Sequence, residues 1–183
     1  KITGMDDMAD LKDINIIGDI VKVEDLPDHG SIVVKPNDTS LVNEMFRTLR
    51  NNLLFMLSEK EQNVILVTST VANEGKTFIA VNLARSLSLM DKKTILIGAD
   101  IRKPKLAKVV GVPKREIGLS SYLAGQIQDY NEIIEQVDNN FYLLQSGPIP
   151  PNPNELLSKR RVGELFNELK KEFDYIVLDT APV

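Results

Sequence analysis

The sequence predicts an α/β fold in which a parallel sheet carries helices on both faces. Short apolar runs rich in β-branched residues, such as Val64–Thr68 and Thr94–Ile97, are typical of strands that are buried on both faces. Between them lies Thr77–Met90, whose apolar residues recur at helical spacing. This alternation of strand and helix along the chain predicts the parallel sheet.

The remaining elements follow the same alternation. The first helix is expected to begin at a cap, Thr39 or Ser40, and to continue to about Ser58. Its apolar stripe comprises Val42, Met45, Leu49, Leu53 and Met56. Further helical stretches are expected at Ile101–Val110, at Leu119–Leu123, at Tyr130–Gln136 and from a cap at Asn154 through Lys171. Further strands are expected at Phe141–Leu144 and Tyr175–Leu178.

The N-terminal part of the chain differs from the rest in its sequence pattern. Residues 1–39 lack sustained periodicity and are interpreted as a linker with two strand-like pieces, Ile14–Ile20 and Ser31–Val34. Residues 40–183 are interpreted as one domain. Because the chain starts at Lys1 and stops just after a strand pattern, we expect the domain to be truncated at its C-terminal end.

Composition excludes several classes of protein. The chain has 183 residues and no cysteine, so it has neither disulfides nor thiolate metal sites, and a reducing compartment fits best. The lone His29 lies in a turn-like Pro-Asp-His-Gly sequence and has no second His or Cys nearby. The formal net charge of −4 gives no general reason to expect nucleic acid. No apolar run is long enough to cross a bilayer.

A phosphate-binding loop (P-loop) follows the first strand. The turn Ser69–Thr77 contains Gly-Lys-Thr and leads directly into a helix. In such a loop the backbone N–H groups and the helix N-terminus hold phosphates, Lys76 reaches the outer phosphates, and the Thr77 hydroxyl binds Mg²⁺. The first glycine of the usual pattern is Thr70 here. The residues expected to bind the nucleotide are Thr70, Val71, Ala72, Asn73, Glu74, Gly75, Lys76, Thr77 and Phe78.

Two aspartates end predicted strands. Asp179 closes Tyr175–Leu178 in a Walker B pattern, and Asp100 follows Thr94–Ala99. Because the carboxyl ends of parallel strands meet at one edge, both are candidates to bind Mg²⁺ together with Thr77. The alternatives are a polar residue that merely closes a strand for Asp179, and a helix cap for Asp100.

A cluster of cations follows Asp100. It comprises Arg102, Lys103, Lys105, Lys108, Lys114 and Arg115. A solvated face is the default interpretation. The alternative is a docking surface for an acidic or phosphorylated peptide.

Together these motifs resemble those of the bacterial tyrosine kinases, the cytoplasmic domains of polysaccharide chain-length regulators. Four segments carry the resemblance: a Walker A-like loop at Ser69–Thr77, a Walker A′-like segment at Ile95–Pro104, a loop-and-helix signature at Ser146–Leu157 and a Walker B-like strand at Ile176–Pro182. The resemblance covers nearly the whole chain. It implies a P-loop NTPase-like fold, ATP and Mg²⁺ as cofactors, and protein tyrosine autophosphorylation.

A fifth feature of the resemblance is Glu44-x2-Arg47-x2-Arg50, which lies away from the apolar stripe of the first helix. In the family this pattern lies at the subunit interface of a ring. The alternative is an intrahelical Glu–Arg pair of negligible strength.

Two departures from the family pattern affect the expected chemistry. Gly98 stands where the Walker A′ motif usually has a metal-binding Asp. The tyrosine-rich tail that the family phosphorylates is absent, and the four tyrosines present occupy helix or strand positions suited to core packing: Tyr122, Tyr130, Tyr142 and Tyr175.

The resemblance implies catalytic roles for Lys76, Asp100 and Asp179, with Asp100 assisting the metal or accepting the tyrosine proton. It also implies a homo-oligomeric ring, a transmembrane activator segment, a tyrosine-rich tail as substrate, no nucleic acid, and a place at the cytoplasmic face of the bacterial inner membrane. Two alternatives stay open. One is a partition or division-positioning ATPase, although Val71 stands where those proteins have an extra lysine. The other is a nucleotide-responsive assembly module without kinase activity.

Overall fold

The computed structural model describes residues 14–24, 26, 30–57 and 64–183. Its strands are β1 (Val64–Val67), β2 (Thr94–Gly98), β3 (Ile134–Asp138), β4 (Phe141–Leu144) and β5 (Tyr175–Asp179). Its helices are α1 (Leu41–Leu57), α2 (Lys76–Ser88), α3 (Leu106–Val110), α4 (Leu119–Leu123), α5 (Pro153–Leu157) and α6 (Arg160–Glu172). A short 3₁₀ helix, Tyr130–Ile133, precedes β3.

The five strands form one sheet in the order β1-β5-β2-β4-β3. The first four pair in parallel, and only the edge strand β3 is antiparallel to its neighbour. In this register Asp179 of β5 lies between Val67 of β1 and Gly98 of β2. The carboxyl ends of these three strands therefore meet at one edge of the sheet, which is where parallel α/β sheets bind ligands.

Apolar side chains of the sheet contribute to two hydrophobic cores, one on each face. Leu96 and Val177 pack with α1, α2 and α3, whereas Ile95 and Ile176 pack with α4, α5 and α6. Successive residues of a strand thus serve opposite cores, as the pleat of a strand requires. The predicted sheet with helices on both faces is confirmed.

Two of the predicted helices differ from expectation in where they begin or break. The helix predicted at Ile101–Val110 begins only at Leu106, because Pro104 disfavours helical backbone at the residue before it. The helix predicted from a cap at Asn154 through Lys171 is two helices, α5 and α6; Asn152 rather than Asn154 occupies the N-cap position of α5, without a side-chain capping hydrogen bond. Pro153 occupies the first position of α5, where its missing N–H costs nothing.

The helix predicted at Tyr130–Gln136 was the largest error. Only one 3₁₀ turn forms there, and the chain then enters β3, which pairs with β4. Ile133, the last residue of the 3₁₀ turn, is fully buried in the core. The strand β3 that follows it forms the edge of the sheet. Only Asn139 and Asn140 separate β3 from β4, and Asn140 has a left-handed φ of 55°, so the signal that the helical prediction overlooked is a hairpin turn.

The segment before α1 packs against the domain without forming a strand. Val33 and Val34 donate their backbone N–H groups to the side-chain oxygen of Asn82 in α2, at 2.8 and 3.2 Å. Asn82 donates in turn to the carbonyls of Ser31 and Phe78. Neither strand-like piece predicted in the N-terminal 39 residues is a strand where the structure describes it. His29 lies outside the described residues.

Helix α1 follows the predicted bounds closely. Its most buried residues are Asn43, Phe46 and Leu49, of which only Leu49 belongs to the predicted stripe. Asn43 is buried because its amide bonds to the backbone of Val33 and Lys35. Among the described residues, no helix combines the length and hydropathy that a bilayer span requires.

Candidate functional site

The P-loop connects the end of β1 to the N-terminus of α2. Its backbone turns through two left-handed residues, Asn73 at φ 67° and Gly75 at φ 90°. Only glycine adopts the conformation of Gly75 without strain, which explains the glycine of the Gly-Lys-Thr sequence. Residues 70–75 are exposed and α2 begins at Lys76, so the loop presents the start of that 13-residue helix to solvent. This arrangement suits an anion, because the first N–H groups of a helix have no partner within it.

The Glu74 carboxylate stabilises the loop from within. It accepts hydrogen bonds from the backbone N–H groups of Thr70 and Val71, at 2.9 and 3.1 Å, and from the Thr70 hydroxyl. The Val71 N–H is the main cause of the lowered pKa of Glu74. These bonds show that N–H groups of the loop converge on a negatively charged group. Thr70, in the position of the first glycine, contributes through its hydroxyl.

Thr77 and Asp179 meet below the loop. The Thr77 hydroxyl donates to the Asp179 carboxylate at 2.9 Å, and both side chains are buried. Burial raises the pKa of Asp179 to about 6; the Thr77 hydrogen bond and Lys76 oppose this shift, and Asp100 adds to it. Burial of the carboxylate thus outweighs the positive charges near it, a balance that is common at sites that bind a cation.

Asp100 uses its two carboxylate oxygens differently. One accepts hydrogen bonds from the backbone N–H groups of Arg102 and Lys103, at 3.3 and 3.0 Å. The other lies 3.9 Å from the ammonium group of Lys76. Asp100 therefore closes the turn that follows β2 and also faces the P-loop lysine. The capping alternative holds in part, although the turn it closes is not the start of a helix.

Gly98 packs against Ser146, which follows β4. The Ser146 hydroxyl donates to the Gly98 carbonyl at 2.8 Å and lies 3.4 Å from the Asp100 carbonyl. A Cβ atom on Gly98 would lie 2.6 Å from that hydroxyl oxygen and 3.2 Å from Leu106. Any side chain at position 98 therefore requires Ser146 to move. No sequence pattern predicts this contact, although Ser146 begins the loop-and-helix signature.

The basic segment after Asp100 extends to the P-loop. The Lys105 ammonium group donates to the Asn73 side chain at 3.1 Å. Arg102 bonds to the Asn154 side chain at the start of α5. Both contacts join segments that are distant in sequence and could not be anticipated from it.

The three charged residues of α1 lie apart from this site. Arg47 pairs with Glu44 within the helix and donates to the Asp38 carbonyl at 3.0 Å, and Arg50 donates to the Ser86 carbonyl at 3.0 Å. Burial, together with the nearby Arg47, lowers the pKa of Arg50. Their use in subunit contacts remains a prediction.

The donor set at the strand edge fits Mg²⁺. Thr77 offers a hydroxyl and Asp179 and Asp100 offer carboxylates, and hard oxygen donors are what Mg²⁺ prefers. Within the described residues no group of three or more acidic, His or Cys side chains gathers into a metal site. Phosphate oxygens and water would then complete the coordination, as is usual for Mg²⁺ bound with a nucleotide.

The fold and the loop together define a P-loop nucleotide-binding domain. The chain belongs to the AAA domain family, whose model matches residues 62–183.

Curated relatives carry the names of bacterial tyrosine kinases. The putative tyrosine-protein kinase CapB of Staphylococcus aureus is 34% identical over 149 residues, which cover 81% of this chain and 64% of CapB. The tyrosine-protein kinase YwqD of Bacillus subtilis is 33% identical over 84% of this chain and 64% of YwqD. The chain therefore spans just under two thirds of the length of these relatives.

Solved structures agree with these relatives. The chimerical protein CapA2B2 superposes with a TM-score of 0.85 at 32% identity, over 97% of this chain and 75% of that one. The kinase domain of Escherichia coli tyrosine kinase ETK superposes with a TM-score of 0.84 at 29% identity, over 92% of this chain and 70% of that one. MinD of Pyrococcus horikoshii, complexed with Mg-ADP, superposes with a lower TM-score of 0.57, over 66% of this chain. The resemblance to the bacterial tyrosine kinases is confirmed, and so is the fold class.

Proposed function

We propose that this chain is the P-loop domain of an ATP-dependent protein tyrosine autokinase that acts in capsular or exopolysaccharide synthesis. The observation that carries the proposal is the buried contact between Thr77 and Asp179, with Lys76 and Asp100 beside it at the carboxyl edge of the sheet. This is the set of groups that phosphoryl transfer requires: a cation for the phosphates, ligands for the metal and a carboxylate for the acceptor.

Each group has a distinct role in the proposed reaction. Residues 70–78 cradle the phosphates of ATP, and Lys76 compensates their charge. Thr77, Asp179 and Asp100 would hold Mg²⁺, which supplies charge neutralisation at the transferred group. Asp100 either assists the metal in this way or accepts the proton of the tyrosine hydroxyl, whose oxygen bonds to the γ-phosphorus. The bond from the γ-phosphorus to ADP breaks in the same step, so ADP is the leaving group. Positioning and charge compensation provide most of the acceleration.

Release of Lys76 from Asp100 accompanies nucleotide binding in this proposal. Their 3.9 Å separation is a loose ion pair between two side chains that are each about nine-tenths buried. The outer phosphates offer Lys76 a stronger partner. Once the lysine turns to the phosphates, the facing oxygen of Asp100 is available to the metal or to the acceptor hydroxyl.

The organisation predicted from the resemblance belongs to the same proposal. Residues 1–39 act as the juxtamembrane linker and residues 40–183 as the kinase domain, at the cytoplasmic face of the inner membrane. Glu44, Arg47 and Arg50 join subunits into a ring, so that one subunit presents its tyrosine-rich tail to the site of the next. A transmembrane segment of the same or a partner chain is the activator.

One experiment tests the kinase proposal. The full-length protein is incubated with Mg-ATP and examined with an anti-phosphotyrosine antibody, alongside Lys76→Met. Lys170→Met is the matched control, since Lys170 is exposed on α6. We expect phosphotyrosine in the wild type and the control and none in Lys76→Met. A signal that survives Lys76→Met would refute the proposal.

A nucleotide-responsive assembly module is the second candidate. Gly98 favours it, because this position offers no carboxylate and Ser146 already occupies the space beside it. The absence of phosphotyrosine in every sample, together with a nucleotide-dependent change in mass by sedimentation, would support this candidate over the kinase.

A further inference from the structure

A cavity of about 190 Å³ lies where the segment before α1 meets α1 and α2. Three basic residues line it: Lys35 from the segment before α1, and Arg47 and Arg50 from α1. No Asp or Glu stands among the described residues of its wall. The chain as a whole has a formal net charge of −4, so this cavity is a local concentration of positive charge, which attracts anions from solution.

Two acids lie close to the cavity without lining it. Glu44 pairs with Arg47 along α1. The Asp38 carboxylate accepts hydrogen bonds from the Ser40 N–H and from the Asn43 amide, at 2.8 and 2.7 Å. These contacts hold one carboxylate on the helix surface and the other at the turn that precedes the helix. Of the two arginines in the wall, only Arg47 is therefore compensated by an acid.

The guanidinium group of Arg50 bonds only to neutral groups within the described chain. It donates to the Ser86 carbonyl at 3.0 Å and to the Asn51 side-chain oxygen at 3.2 and 3.3 Å. Burial lowers the pKa of Arg50, and the positive charge of Arg47 adds to that shift. Two guanidinium groups that repel each other are stabilised by an anion that contacts both, and each retains N–H donors for it.

A buried hydroxyl in the wall provides an independent observation. Ser86 of α2 lines the cavity and is only 1% exposed, and its Oγ atom makes no hydrogen bond with any described residue. Buried polar groups in native proteins almost always have a partner, so an orphaned hydroxyl beside a cavity indicates a ligand that accepts its hydrogen. An oxygen-rich anion supplies such an acceptor and also compensates the charge of Arg50.

We propose that this cavity is a binding site for a free oxyanion of the class of inorganic phosphate, held by Arg50, Arg47 and Lys35. The cations come from two elements and the Ser86 hydroxyl from a third, so donors surround the ligand on several sides. A tetrahedral anion accepts hydrogen bonds from several directions at once, whereas a planar carboxylate is satisfied by a single guanidinium fork. Lys35 and Asn37 are exposed at the rim, so the anion enters from solvent.

The site goes beyond the proposed function, because it uses none of the residues assigned to the nucleotide or to phosphoryl transfer. It shares Arg47 and Arg50 with the proposed contact between subunits. A bound anion and a second subunit would therefore compete for the same guanidinium groups. For this reason binding is measured at a protein concentration at which sedimentation shows the monomer.

The test is a titration of the full-length protein with inorganic phosphate, followed by the line width of the phosphate signal in phosphorus NMR. Excess Mg-ADP occupies the P-loop, which would otherwise bind the same anion, and sodium chloride keeps the ionic strength constant. We expect saturable broadening of the phosphate signal. Sulfate should displace the phosphate, and acetate should require about tenfold higher concentrations to do so.

Variants assign the binding to this cavity. Arg50→Gln should weaken phosphate binding about tenfold, since it removes a charged donor. Ser86→Ala should weaken it about threefold through the loss of one neutral hydrogen bond. Arg160→Gln is the matched control and should bind as the wild type does, because Arg160 is 92% exposed and pairs with Glu164 within α6.

A further variant keeps the test independent of folding. Arg50 also bonds to the Ser86 carbonyl, so thermal melts establish whether Arg50→Gln is folded. Lys35→Gln is expected to fold in any case, because Lys35 is exposed and its backbone N–H keeps its hydrogen bond to the Asn43 side chain. We expect Lys35→Gln to weaken phosphate binding about threefold.

The proposal is overturned if the wild type shows no saturable broadening, or if Arg50→Gln and Lys35→Gln bind phosphate no more weakly than Arg160→Gln does. Equal displacement by acetate and sulfate would also overturn it, because a carboxylate would then fit as well as a tetrahedral anion. So would tighter binding of phenyl phosphate, since the ligand would then be a phosphate carried on a larger group. The measurement involves no phosphoryl transfer, so its outcome is separate from that of the phosphotyrosine assay.

Discussion

The Thr77 hydroxyl and the Asp179 carboxylate lie 2.9 Å apart although 102 residues separate them in sequence. The sheet brings them together, because β5 pairs directly with β1 and places Asp179 beside the strand that leads into the P-loop. Asp179 is only 2% exposed, and its burial is the main cause of a pKa of about 6.

The raised pKa of Asp179 makes a prediction about stability. A carboxyl group whose pKa is higher in the folded than in the unfolded protein favours folding when protonated, and this contribution is lost as the pH rises through the folded pKa. The shift from 3.8 to about 6 corresponds to about 3 kcal/mol. Asp179→Asn, measured without nucleotide or Mg²⁺, should raise the free energy of unfolding by up to about 3 kcal/mol at pH 7.5.

The pH dependence distinguishes this mechanism from a general packing effect. At pH 5 the folded wild type is already largely protonated at Asp179, so the advantage of Asp179→Asn should fall to about half. Urea unfolding at the two pH values provides the measurement. A difference between variant and wild type that stays constant from pH 5 to 7.5 would contradict the assigned pKa.

Gly98 and Ser146 make a second prediction. Gly98→Ala places a Cβ atom 2.6 Å from the Ser146 hydroxyl oxygen, which should cost about 1–3 kcal/mol of stability. Ser146→Ala removes that oxygen and its hydrogen bond to the Gly98 carbonyl, which should lower the free energy of unfolding by about 1 kcal/mol. The double variant should be less destabilised than the sum of the single variants, with a coupling of at least about 0.5 kcal/mol in urea unfolding. Additive effects would show that the backbone relaxes without regard to Ser146.

Much of this fold was predictable from sequence because its strands and helices carry strong local patterns. Leu119–Leu123 and Phe141–Leu144 have the predicted bounds, and the P-loop lies between β1 and α2 as expected. The helical prediction at β3 overlooked the hairpin turn Asn139-Asn140, which joins β3 to the antiparallel strand β4. Phe46 was missed as a core residue of α1, although it is fully buried against α2.

The site was predictable to a similar extent. The P-loop and the two strand-ending aspartates were identifiable because their spacing follows from the chemistry of phosphate binding. Ser146 and the contact from Lys105 to Asn73 depend on how loops from three different strands approach one another. No local pattern encodes such an approach.

Asn82 makes a third prediction, about the segment before α1. Its side chain is fully buried and bonds to the backbone of Ser31, Val33 and Val34. Asn82→Leu keeps the branching and the number of side-chain heavy atoms but leaves these backbone groups without partners, which should cost about 1–3 kcal/mol. In hydrogen exchange, the amides of Val33 and Val34 should lose more protection than the amides of β2, whose protection reports global unfolding. Equal losses in both places would mean that the segment does not depend on Asn82.

The charged face of α1 makes the last prediction. Within one chain Arg47 and Arg50 bond to the carbonyls of Asp38 and Ser86, so part of their hydrogen-bonding capacity remains for a second subunit. Under the proposed ring assembly, Arg47→Ala with Arg50→Ala should convert the oligomer of the full-length protein to monomer in sedimentation velocity. Rising salt should act in the same direction on the wild type, because the pairs between subunits are charge-assisted.

The control for this experiment is Arg160→Ala, since that side chain is 92% exposed and pairs with Glu164 within α6. Thermal melts of both proteins separate loss of assembly from loss of fold, because the two arginines of α1 also make contacts within their own chain. A folded double variant whose mass equals that of the wild type would show that Arg47 and Arg50 serve the single chain alone, and that any ring forms through another surface.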